Sequence, residues 1–331
     1  MTEVRAAERI ADAEEARWFS EQFDTLAGNV STFIRGKTKV VRLALTCMLA
    51  EGHLLVDDVP GTGKTSMAKA IANSVGGVMQ RLQCTPDLLP SDVTGVRIWN
   101  SGTGAFEFHR GPVFANVVLA DEVNRASPKT QSALLEVMEE RQVTVDAVPY
   151  AVPRPFVVIA TQNPVEHGGT YELPEAQIDR FMVRLSLGYP AHEAEVEVLQ
   201  NRTRGQTTDD VRPVLRTEDL AKMIDIARHV YLAPSLLGYI VLISAATRRL
   251  PDVRLGVSPR GSLALATAAQ AHAAADGRPF ATADDVKALA PYVLGHRLIL
   301  RPEAELKGAT AEDLLGGIAA AVPVPELRTG T

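Results

Sequence analysis

The stretch HLLVDDVPGTGKT, residues 53–65, decides the fold, because an apolar run leads directly into a glycine-containing loop that ends in Lys-Thr. The apolar run is typical of a buried strand, and SMAKAIANSV, which follows it, is typical of a helix. Backbone N–H groups in such a loop can converge on phosphate oxygens at a helix N-terminus, where the helix dipole also favours an anion. The stretch therefore predicts a nucleotide-binding loop, the alternative being a glycine-rich turn without a ligand.

The first glycine of the usual G-x-x-x-x-G-K-[ST] pattern is replaced by Asp58, whereas Gly61 and Gly63 remain where the backbone must approach phosphate. A carboxylate that pointed into the loop would repel a triphosphate, so we expect Asp58 to turn away or to hold the loop by hydrogen bonds. Lys64 is expected to reach the β- and γ-phosphates, and Thr65 to place its hydroxyl on Mg²⁺. The predicted nucleotide-binding residues are Pro60, Gly61, Thr62, Gly63, Lys64, Thr65 and Ser66.

Two further apolar runs end in polar residues that can complete such a site. NVVLADEVNR, residues 116–125, predicts a buried strand ending in two carboxylates. Because strand residues alternate faces, Asp121 can hold the Mg²⁺ shell while Glu122 polarises the attacking water. PFVVIATQNP, residues 155–164, ends near Asn163, at the edge where ligands of parallel sheets bind. Asn163 is predicted to orient a water and contact a γ-phosphate, the alternative being an Asn-Pro turn.

Composition sets limits on the function. The chain has 331 residues, 46% of them hydrophobic, and a formal charge of -6, which argues against a general nucleic-acid binder because phosphate neutralisation favours a basic surface. Cys47 and Cys84 have no metal-like spacing, so we expect buried, inert thiols in a reducing compartment. The charged start of the chain does not resemble a secretory signal. A cytoplasmic location follows as the prediction.

The chain divides into three predicted regions. Residues 1–32 form an amphipathic leader helix, 33–200 alternate β-like and helix-like runs as in a parallel sheet flanked by helices, and 201–331 are Ala- and Leu-rich and helical. The polar stretch NRTRGQTTDD, which begins at Asn201, is predicted to connect the last two regions. Residues 230–247 carry no charge over nearly the length of a membrane span, but the run contains Pro, Gly and Ser and is predicted to be a core helix.

Four blocks of the sequence together resemble the MoxR family of AAA+ ATPases: HLLVDDVPGTGKT, GPVFANVVLADEVNRASPKTQSALLEVMEERQVTV, PFVVIATQNPVEHGGTYELPEAQIDRFM and SPRGSLAL. The resemblance runs from about Phe33 to near Ala290. It implies an α/β fold, an AAA+ P-loop nucleotide-binding domain with a parallel sheet followed by a small all-α lid domain. It also implies Mg²⁺-dependent hydrolysis of ATP to ADP and phosphate by a homo-oligomeric ring, expected to be a hexamer. The implied work is chaperone-like remodelling or maturation of protein clients, with a von Willebrand factor type A (VWA) domain partner.

The same resemblance implies roles for four further residues. Arg180 matches the arginine finger offered to a neighbouring subunit's nucleotide, and Arg260, in SPR, matches the second sensor on the lid. Ile34 and Arg35 are placed near the adenine. A surface salt bridge with Asp179 or Glu175 is the alternative for Arg180, and apolar packing alone would explain Ile34. The segments VTGVRIWNSGTGAFEFHRGPVF and RQVTVDAVPYAVPRP correspond to the family's helix-2 and pre-sensor inserts, and both are expected to be hairpins.

Three competing interpretations use parts of the same pattern. A DNA-translocating helicase would share the core and hairpins, but the hairpin tips NSGTG and VDAVP lack lysine and arginine. A non-hydrolysing scaffold would lack Glu122, Asn163 or Arg180, and all three are present. A small-molecule P-loop kinase would need an acceptor pocket instead of a subunit-facing finger. An ATPase that acts on protein, without nucleic acid or a membrane span, is the favoured hypothesis.

Overall fold

Five short strands form one parallel sheet in the computed structural model, which describes residues 9–59, 61–163, 171, 173–205 and 207–324. The sheet lies in a compact unit that comprises Thr25–Ala221. The helices and strands from Ala13 to Thr203 are α1 (Ala13–Phe33), α2 (Thr38–Leu49), β1 (Leu54–Asp57), α3 (Lys64–Ser74), β2 (Met79–Gln83), α4 (Pro90–Thr94), β3 (Gly95–Asn100), β4 (Ala105–Arg110), β5 (Val117–Asp121), α5 (Pro128–Glu140), β6 (Gln142–Val145), β7 (Val148–Ala151), β8 (Val157–Gln162), α6 (Glu175–Ile178), β9 (Val183–Leu185) and α7 (His192–Thr203).

The strand order of the sheet is β2-β5-β8-β1-β9, with every neighbouring pair parallel. The register aligns Asp57 with Gln162 and Gln83 with Asp121, so the carboxyl ends of four strands lie at one edge. From β1, which lies between β8 and the edge strand β9, the chain passes to the opposite edge strand β2. Such a change of direction opens a crevice at the carboxyl edge of a parallel sheet.

The strands at the centre of the sheet are apolar along almost their whole length. All residues of β5 and β8 except the last are buried, because helices cover both faces of a parallel sheet. Only the final residue of each of these two strands is partly exposed. Both thiols are buried as predicted, since Cys47 and Cys84 are 0% and 1% exposed.

Two antiparallel hairpins extend from the core, as predicted. The first hairpin consists of β3 and β4, and the second of β6 and β7. The second is joined by Asp146 and Ala147, both in the left-handed region at φ 49° and 64°, which is what a two-residue hairpin turn requires. The hairpins contact each other through Phe108 and Tyr150, whose ring centroids are 4.4 Å apart, and through an ion pair between Arg97 and Asp146 at 3.2 Å.

The second compact unit combines the described residues up to Asp24 with those from Lys222 onward. It is helical apart from one antiparallel pair of short strands, β10 and β11. The α/β core followed by a helical lid is therefore confirmed. The remaining elements are α8 (Thr217–Arg228), α9 (Pro234–Thr247), β10 (Val253–Leu255), α10 (Pro259–Ala275), α11 (Ala283–Leu294), β11 (Ile299–Leu300), α12 (Pro302–Leu306) and α13 (Ala311–Ala321).

A buried carboxylate joins α10 to the start of α11. Asp285 is 1% exposed and accepts hydrogen bonds from both Nη atoms of Arg278 and from the backbone N–H of Thr282. His272 Nδ1 lies 2.6 Å from Asp285 Oδ1. Burial alone would raise the pKa of Asp285, but these hydrogen bonds outweigh it and hold that pKa well below its ordinary value. The carboxylate is fully engaged in joining the two helices.

The uncharged run at residues 230–247 forms helix α9, which has only 14 residues. Its buried face includes Tyr239, Ile240 and Ile243. A helix that spans a bilayer needs about 20 apolar residues. Among the described residues, no helix is long and apolar enough to cross a membrane.

The boundary predicted at residue 201 differs from the one in the structure, which lies after Ala221. The reason is that residues 207–215 pack on α3. Asn73 Nδ2 donates to the carbonyl of Thr208 at 2.9 Å, and the N–H of Val214 donates to the carbonyl of Ser74 at 2.9 Å. The supposed linker is therefore part of the core.

The predicted leader helix is likewise not a separate region. Helix α1 ends at Phe33, and its residues are divided between the two units after Asp24. In its first part, Ser20 Oγ donates to the carbonyl of Ala275 at 2.9 Å. In its second part, Asn29 Nδ2 donates to Ser74 Oγ at 2.9 Å. The apolar face of this helix contributes to the packing of both units. Residues 1–8 of the predicted leader lie outside the described residues.

Candidate nucleotide-binding site

The loop between β1 and α3 has the backbone conformation of a phosphate-binding loop. Gly61 and Gly63 have φ values of +87° and +96°, a region that L side chains rarely adopt. Apart from the chain neighbours of each glycine, no atom of the described residues lies within 4 Å of a Cβ built there, so the requirement comes from the backbone and not from packing. Helix α3 begins at Lys64, directly after Gly63. Pro60, also predicted to bind nucleotide, lies outside the described residues.

Asp58 holds the loop by hydrogen bonds, as predicted. Its side chain is 6% exposed, and Oδ2 accepts from the backbone N–H of Leu187 at 2.6 Å and of Gly188 at 2.9 Å. The hydroxyl of Ser186 also donates to it at 3.3 Å. The residue that replaces the first glycine thus joins the loop to the segment that follows β9.

One cavity of about 400 Å³, which we call the phosphate cavity, lies at the carboxyl edge of the sheet. It brings together most of the residues predicted from three separate parts of the chain. The lining residues are Gly61, Gly63, Lys64, Thr65, Ser66, Arg81, Gln83, Asp121, Glu122 and Asn163. Thr62, which lies between two of them, donates its hydroxyl to the carbonyl of Val59 at 3.4 Å.

The two carboxylates of this cavity have different hydrogen-bond partners within the protein, and the cause is not strand alternation. Asp121 ends β5, whereas Glu122 leaves the strand in a left-handed conformation at φ 57° and ψ 51°. The hydroxyl of Thr161 on β8 donates to Asp121 Oδ1 at 2.7 Å and accepts from the N–H of Glu122 at 2.9 Å. A left-handed non-glycine residue costs on the order of 1–3 kcal/mol and is typical of functional sites.

Two cavity residues, Arg81 and Gln83, were not predicted. They are two residues apart and therefore lie on the same face of β2, which neighbours β5. Arg81 Nη2 lies 2.6 Å from Asp121 Oδ2 and 2.8 Å from Gln83 Oε1. Gln83 Nε2 in turn donates to Glu122 Oε2 at 3.1 Å, and Arg125 Nη1 donates to the same oxygen at 3.1 Å. The sequence prediction missed both residues because it did not include the pairing of β2 with β5, which places Gln83 beside Asp121.

Lys64 and Asn163 lie on opposite sides of the acidic pair in the sequence but line the same cavity. The ammonium of Lys64 donates to the carbonyl of Asp58 at 2.9 Å and lies 3.4 Å from that of Val59. Asn163 follows the last residue of β8 and is 6% exposed. Pro164, on which the alternative Asn-Pro turn depends, lies outside the described residues.

A second cavity, of about 570 Å³, shares Ser66 with the phosphate cavity. Arg35, predicted to lie near the adenine, lines this cavity and lies 3.4 Å from Glu197. Ile34 does not line it among the described residues, because its side chain is turned into the core and is 6% exposed. The other lining residues are Thr32, Phe33, Val198, Asn201, Arg204, Gly205, Thr207, Thr208 and Asp210.

The two predicted arginines lie in different units. Arg180 follows α6, and its Nε lies 3.3 Å from Glu139 Oε2 on α5, so its ion pair differs from the alternatives considered in the sequence. Arg180 does not line the phosphate cavity of the described chain. Arg260 is the second residue of α10, where Ser258 caps the helix by accepting from the N–H of Gly261 at 3.2 Å. A cation at this position is disfavoured by the helix dipole.

Comparison with known proteins agrees with this geometry. Residues 53–183 match the ATPase family associated with various cellular activities (AAA), and residues 245–317 match the AAA lid domain. The chain is 48% identical to the uncharacterized protein YeaC of Bacillus subtilis over 91% of this chain and 94% of YeaC. It is 40% identical to Chaperone MoxR1 of Mycobacterium tuberculosis over 90% of this chain and 81% of that protein.

The crystal structure of a Cytophaga hutchinsonii protein, 35% identical in sequence, superimposes with a TM-score of 0.88 over 95% of this chain and 98% of that one. The matched segments include the phosphate-binding loop and the acidic pair, which lie within the AAA match at residues 53–183. The chain therefore belongs to the MoxR family of AAA+ ATPases, and its activity is ATP hydrolysis.

Proposed function

We propose that the phosphate cavity binds ATP together with Mg²⁺. Thr65 and Asp121 both line this cavity, and they offer the hydroxyl and carboxylate oxygens that Mg²⁺ prefers. The loop N–H groups and Lys64 supply the remaining positive potential for the phosphates. When bound, Mg²⁺ would neutralise charge that develops on the β- and γ-phosphate oxygens.

Glu122 is proposed as the general base and Asn163 as the residue that orients the water and contacts the γ-phosphate. The single observation that carries this proposal is that one cavity gathers Lys64, Thr65, Asp121, Glu122 and Asn163. Glu122 would accept a proton from the water while Lys64 draws charge toward the departing phosphate. The neutral amide of Asn163 can orient the water and contact the γ-phosphate without adding charge to an acidic site.

The second cavity is proposed to hold the base and ribose. It adjoins the phosphate cavity at Ser66, so a nucleotide whose phosphates lie in the phosphate cavity could extend its base and ribose into the second cavity. Phe33 and Val198 offer apolar surface to a base, and Arg35 lies at the same cavity. Contacts from residues 201–210 were absent from the sequence prediction because that segment was assigned to a linker.

Arg180 is proposed to act on the nucleotide of a neighbouring subunit in a homo-oligomeric ring, which we expect to be hexameric. It does not line the phosphate cavity of its own described chain and pairs instead with Glu139, which supports a role across a subunit boundary. Arg260 is proposed as the lid sensor, since an incoming phosphate would remove the unfavourable placement of a cation at the start of α10. Hydrolysis then needs residues from more than one subunit.

The work done with ATP is proposed to be chaperone-like remodelling or maturation of a protein client, together with a VWA-domain partner. One relative carries the name Chaperone MoxR1. The first hairpin offers a polypeptide an exposed apolar surface, since Trp99 and Phe106 are 55% and 56% exposed and form an edge-to-face pair with centroids 5.1 Å apart. Buried thiols at Cys47 and Cys84, neither in a disulfide among the described residues, fit the proposed cytoplasmic location.

The phosphate-cavity proposal is tested with two variants and a matched control. Lys64→Ala should abolish nucleotide binding, whereas Glu122→Gln should bind ATP and hydrolyse it at least about a hundredfold more slowly, a loss typical of a general base. Lys69 lies on the same helix as Lys64 and pairs with Asp209. Lys69→Ala should therefore leave both ATP binding and the hydrolysis rate unchanged. Calorimetry that shows unaltered ATP affinity for the Lys64 variant would exclude the loop from the mechanism.

The shared site is tested by mixing subunits. Arg180→Ala should bind ATP but hydrolyse it up to about 10³-fold more slowly, as expected when an arginine finger is lost. When Arg180→Ala and Lys64→Ala subunits are mixed, ATPase activity should return. In a mixed ring, the intact phosphate cavity of an Arg180→Ala subunit can face the intact Arg180 of a neighbouring Lys64→Ala subunit. Mixed rings that form but stay inactive would assign Arg180 to its own subunit.

The nature of the client is tested with nucleic acid. The hairpin tips carry no lysine or arginine, so single- or double-stranded DNA should leave the ATPase rate unchanged at physiological salt. A severalfold stimulation would favour the DNA-translocating helicase instead. Retention of a protein partner by Glu122→Gln in the presence of ATP is the expected positive result.

A further inference from the structure

Arg81 places a guanidinium inside the phosphate cavity of its own chain. Its side chain is on β2 and lines the cavity together with Lys64 and the acidic pair. Its Nη2 atom lies 2.6 Å from Asp121 Oδ2. This arginine belongs neither to the loop nor to the two arginines assigned to the subunit boundary and the lid.

Both oxygens of Asp121 have a donor, but the two donors differ in charge. Oδ1 accepts from the neutral hydroxyl of Thr161 at 2.7 Å, and Oδ2 accepts from the cationic Arg81 at 2.6 Å. The Asp121 side chain is 13% exposed, whereas that of Arg81 is 52% exposed. Arg81 can therefore move into solvent while the carboxylate stays in place.

We propose that Arg81 is a positioning residue that holds Asp121 while the cavity contains no magnesium and leaves it when Mg²⁺ binds with nucleotide. Guanidinium and metal compete for the same carboxylate oxygen. The inference rests on the proposed assignment of Asp121 to the magnesium shell. Arg81 also links the two carboxylates, since it donates to Gln83, which donates to Glu122.

Competition predicts that loss of Arg81 changes two affinities in opposite directions. Nucleotide without metal should bind more weakly, because a cation is lost from the cavity and the charge of Asp121 is unmasked. Mg²⁺ should bind the nucleotide complex more tightly, because its competitor and a nearby like charge are gone. An arginine that only stabilised the fold would weaken both interactions, so the signs separate the two roles.

The test uses ADP, which is not hydrolysed, and calorimetry on the full chain. In Arg81→Gln, the Kd for ADP in EDTA should rise about fivefold, and the Mg²⁺ concentration for half-saturation of the ADP complex should fall about fivefold. Each change corresponds to about 1 kcal/mol, the size of an exposed ion pair. Arg81→Lys, which keeps the charge but not the geometry of the guanidinium, should give intermediate values.

Arg184→Gln is the matched control. Arg184 is 48% exposed and pairs with Asp57 at the end of β1, but it does not line the phosphate cavity of the described chain. Neither affinity should change by more than about twofold. A magnesium requirement in Arg81→Gln equal to or higher than that of the unaltered protein would overturn the inference. If the unaltered protein bound ADP equally in EDTA and in Mg²⁺, the magnesium assignment itself would fail instead.

Discussion

Replacement of Asp58 by alanine should destabilise the core unit by about 3 kcal/mol, because buried donors lose their acceptor. Asp58 Oδ2 accepts from the N–H groups of Leu187 and Gly188 at 2.6 and 2.9 Å, and the carboxylate is 6% exposed. A buried donor left without a partner costs roughly 1–3 kcal/mol, and the buried N–H of Leu187 and the partly buried N–H of Gly188 are both affected. Asp58→Asn keeps an oxygen acceptor without its charge and should cost about half as much.

Urea unfolding, followed by circular dichroism at constant m-value, measures this difference. Asp209→Ala is the control, since its side chain is 69% exposed and its ion pair with Lys69 lies on the surface, where such pairs contribute about 0–1 kcal/mol. ADP affinity should also fall for Asp58→Ala, because the carboxylate fixes the start of the phosphate-binding loop. A free energy of unfolding within about 0.5 kcal/mol of the unaltered protein would refute the argument, since it would mean that the two donors find other partners.

Three further predictions concern positions away from the reaction. The pKa of Asp285 is held below its unfolded value by hydrogen bonds from Arg278, so its stabilisation is present above about pH 4 and is lost as the pH falls; Arg278→Gln should flatten this loss in urea titrations between about pH 5 and 3. Burial, together with the nearby carboxylates, raises the pKa of Cys84 to about 12, so iodoacetamide at pH 8 should modify it only after unfolding, as read by mass spectrometry. Ala147 has φ 64°, so Ala147→Gly should stabilise the protein by about 1 kcal/mol in urea unfolding, whereas a loss of stability would contradict strain at this turn.

The loop and the acidic pair could be predicted because each is a local pattern with one physical solution. A strand followed by Gly-x-Gly-Lys-Thr and a helix places N–H groups around an anion whatever the remainder of the chain does. Residues at the ends of parallel strands then meet at one edge without any knowledge of strand order. Asn163 and Glu122 were found in this way, and both line the phosphate cavity.

Arg81 and Ile34 show where this reasoning stops. The function of Arg81 depends on β2 being the neighbour of β5 in a particular register, and strand order and register are not local properties. Ile34 and Arg35 are adjacent in the sequence, but only Arg35 lines the second cavity, because the end of α1 turns Ile34 inward. The linker prediction at residue 201 failed for a related reason, since polar loops can pack on a helix through their backbone groups.

Thr161 on β8 fixes the position of that strand relative to the acidic pair, Asp121 and Glu122. One hydroxyl donates to Asp121 and accepts from the N–H of Glu122, so it bridges the two residues at the point where β5 ends and the chain turns left-handed. Asn163 follows two residues later at the end of the neighbouring strand β8. If Asn163 contacts a γ-phosphate as proposed, a shift of Asn163 would be transmitted through this short segment to both carboxylates. Arg81 donates to the other oxygen of Asp121, so this carboxylate has a neutral donor on one side and, under the proposal above, a cationic donor that Mg²⁺ would replace on the other.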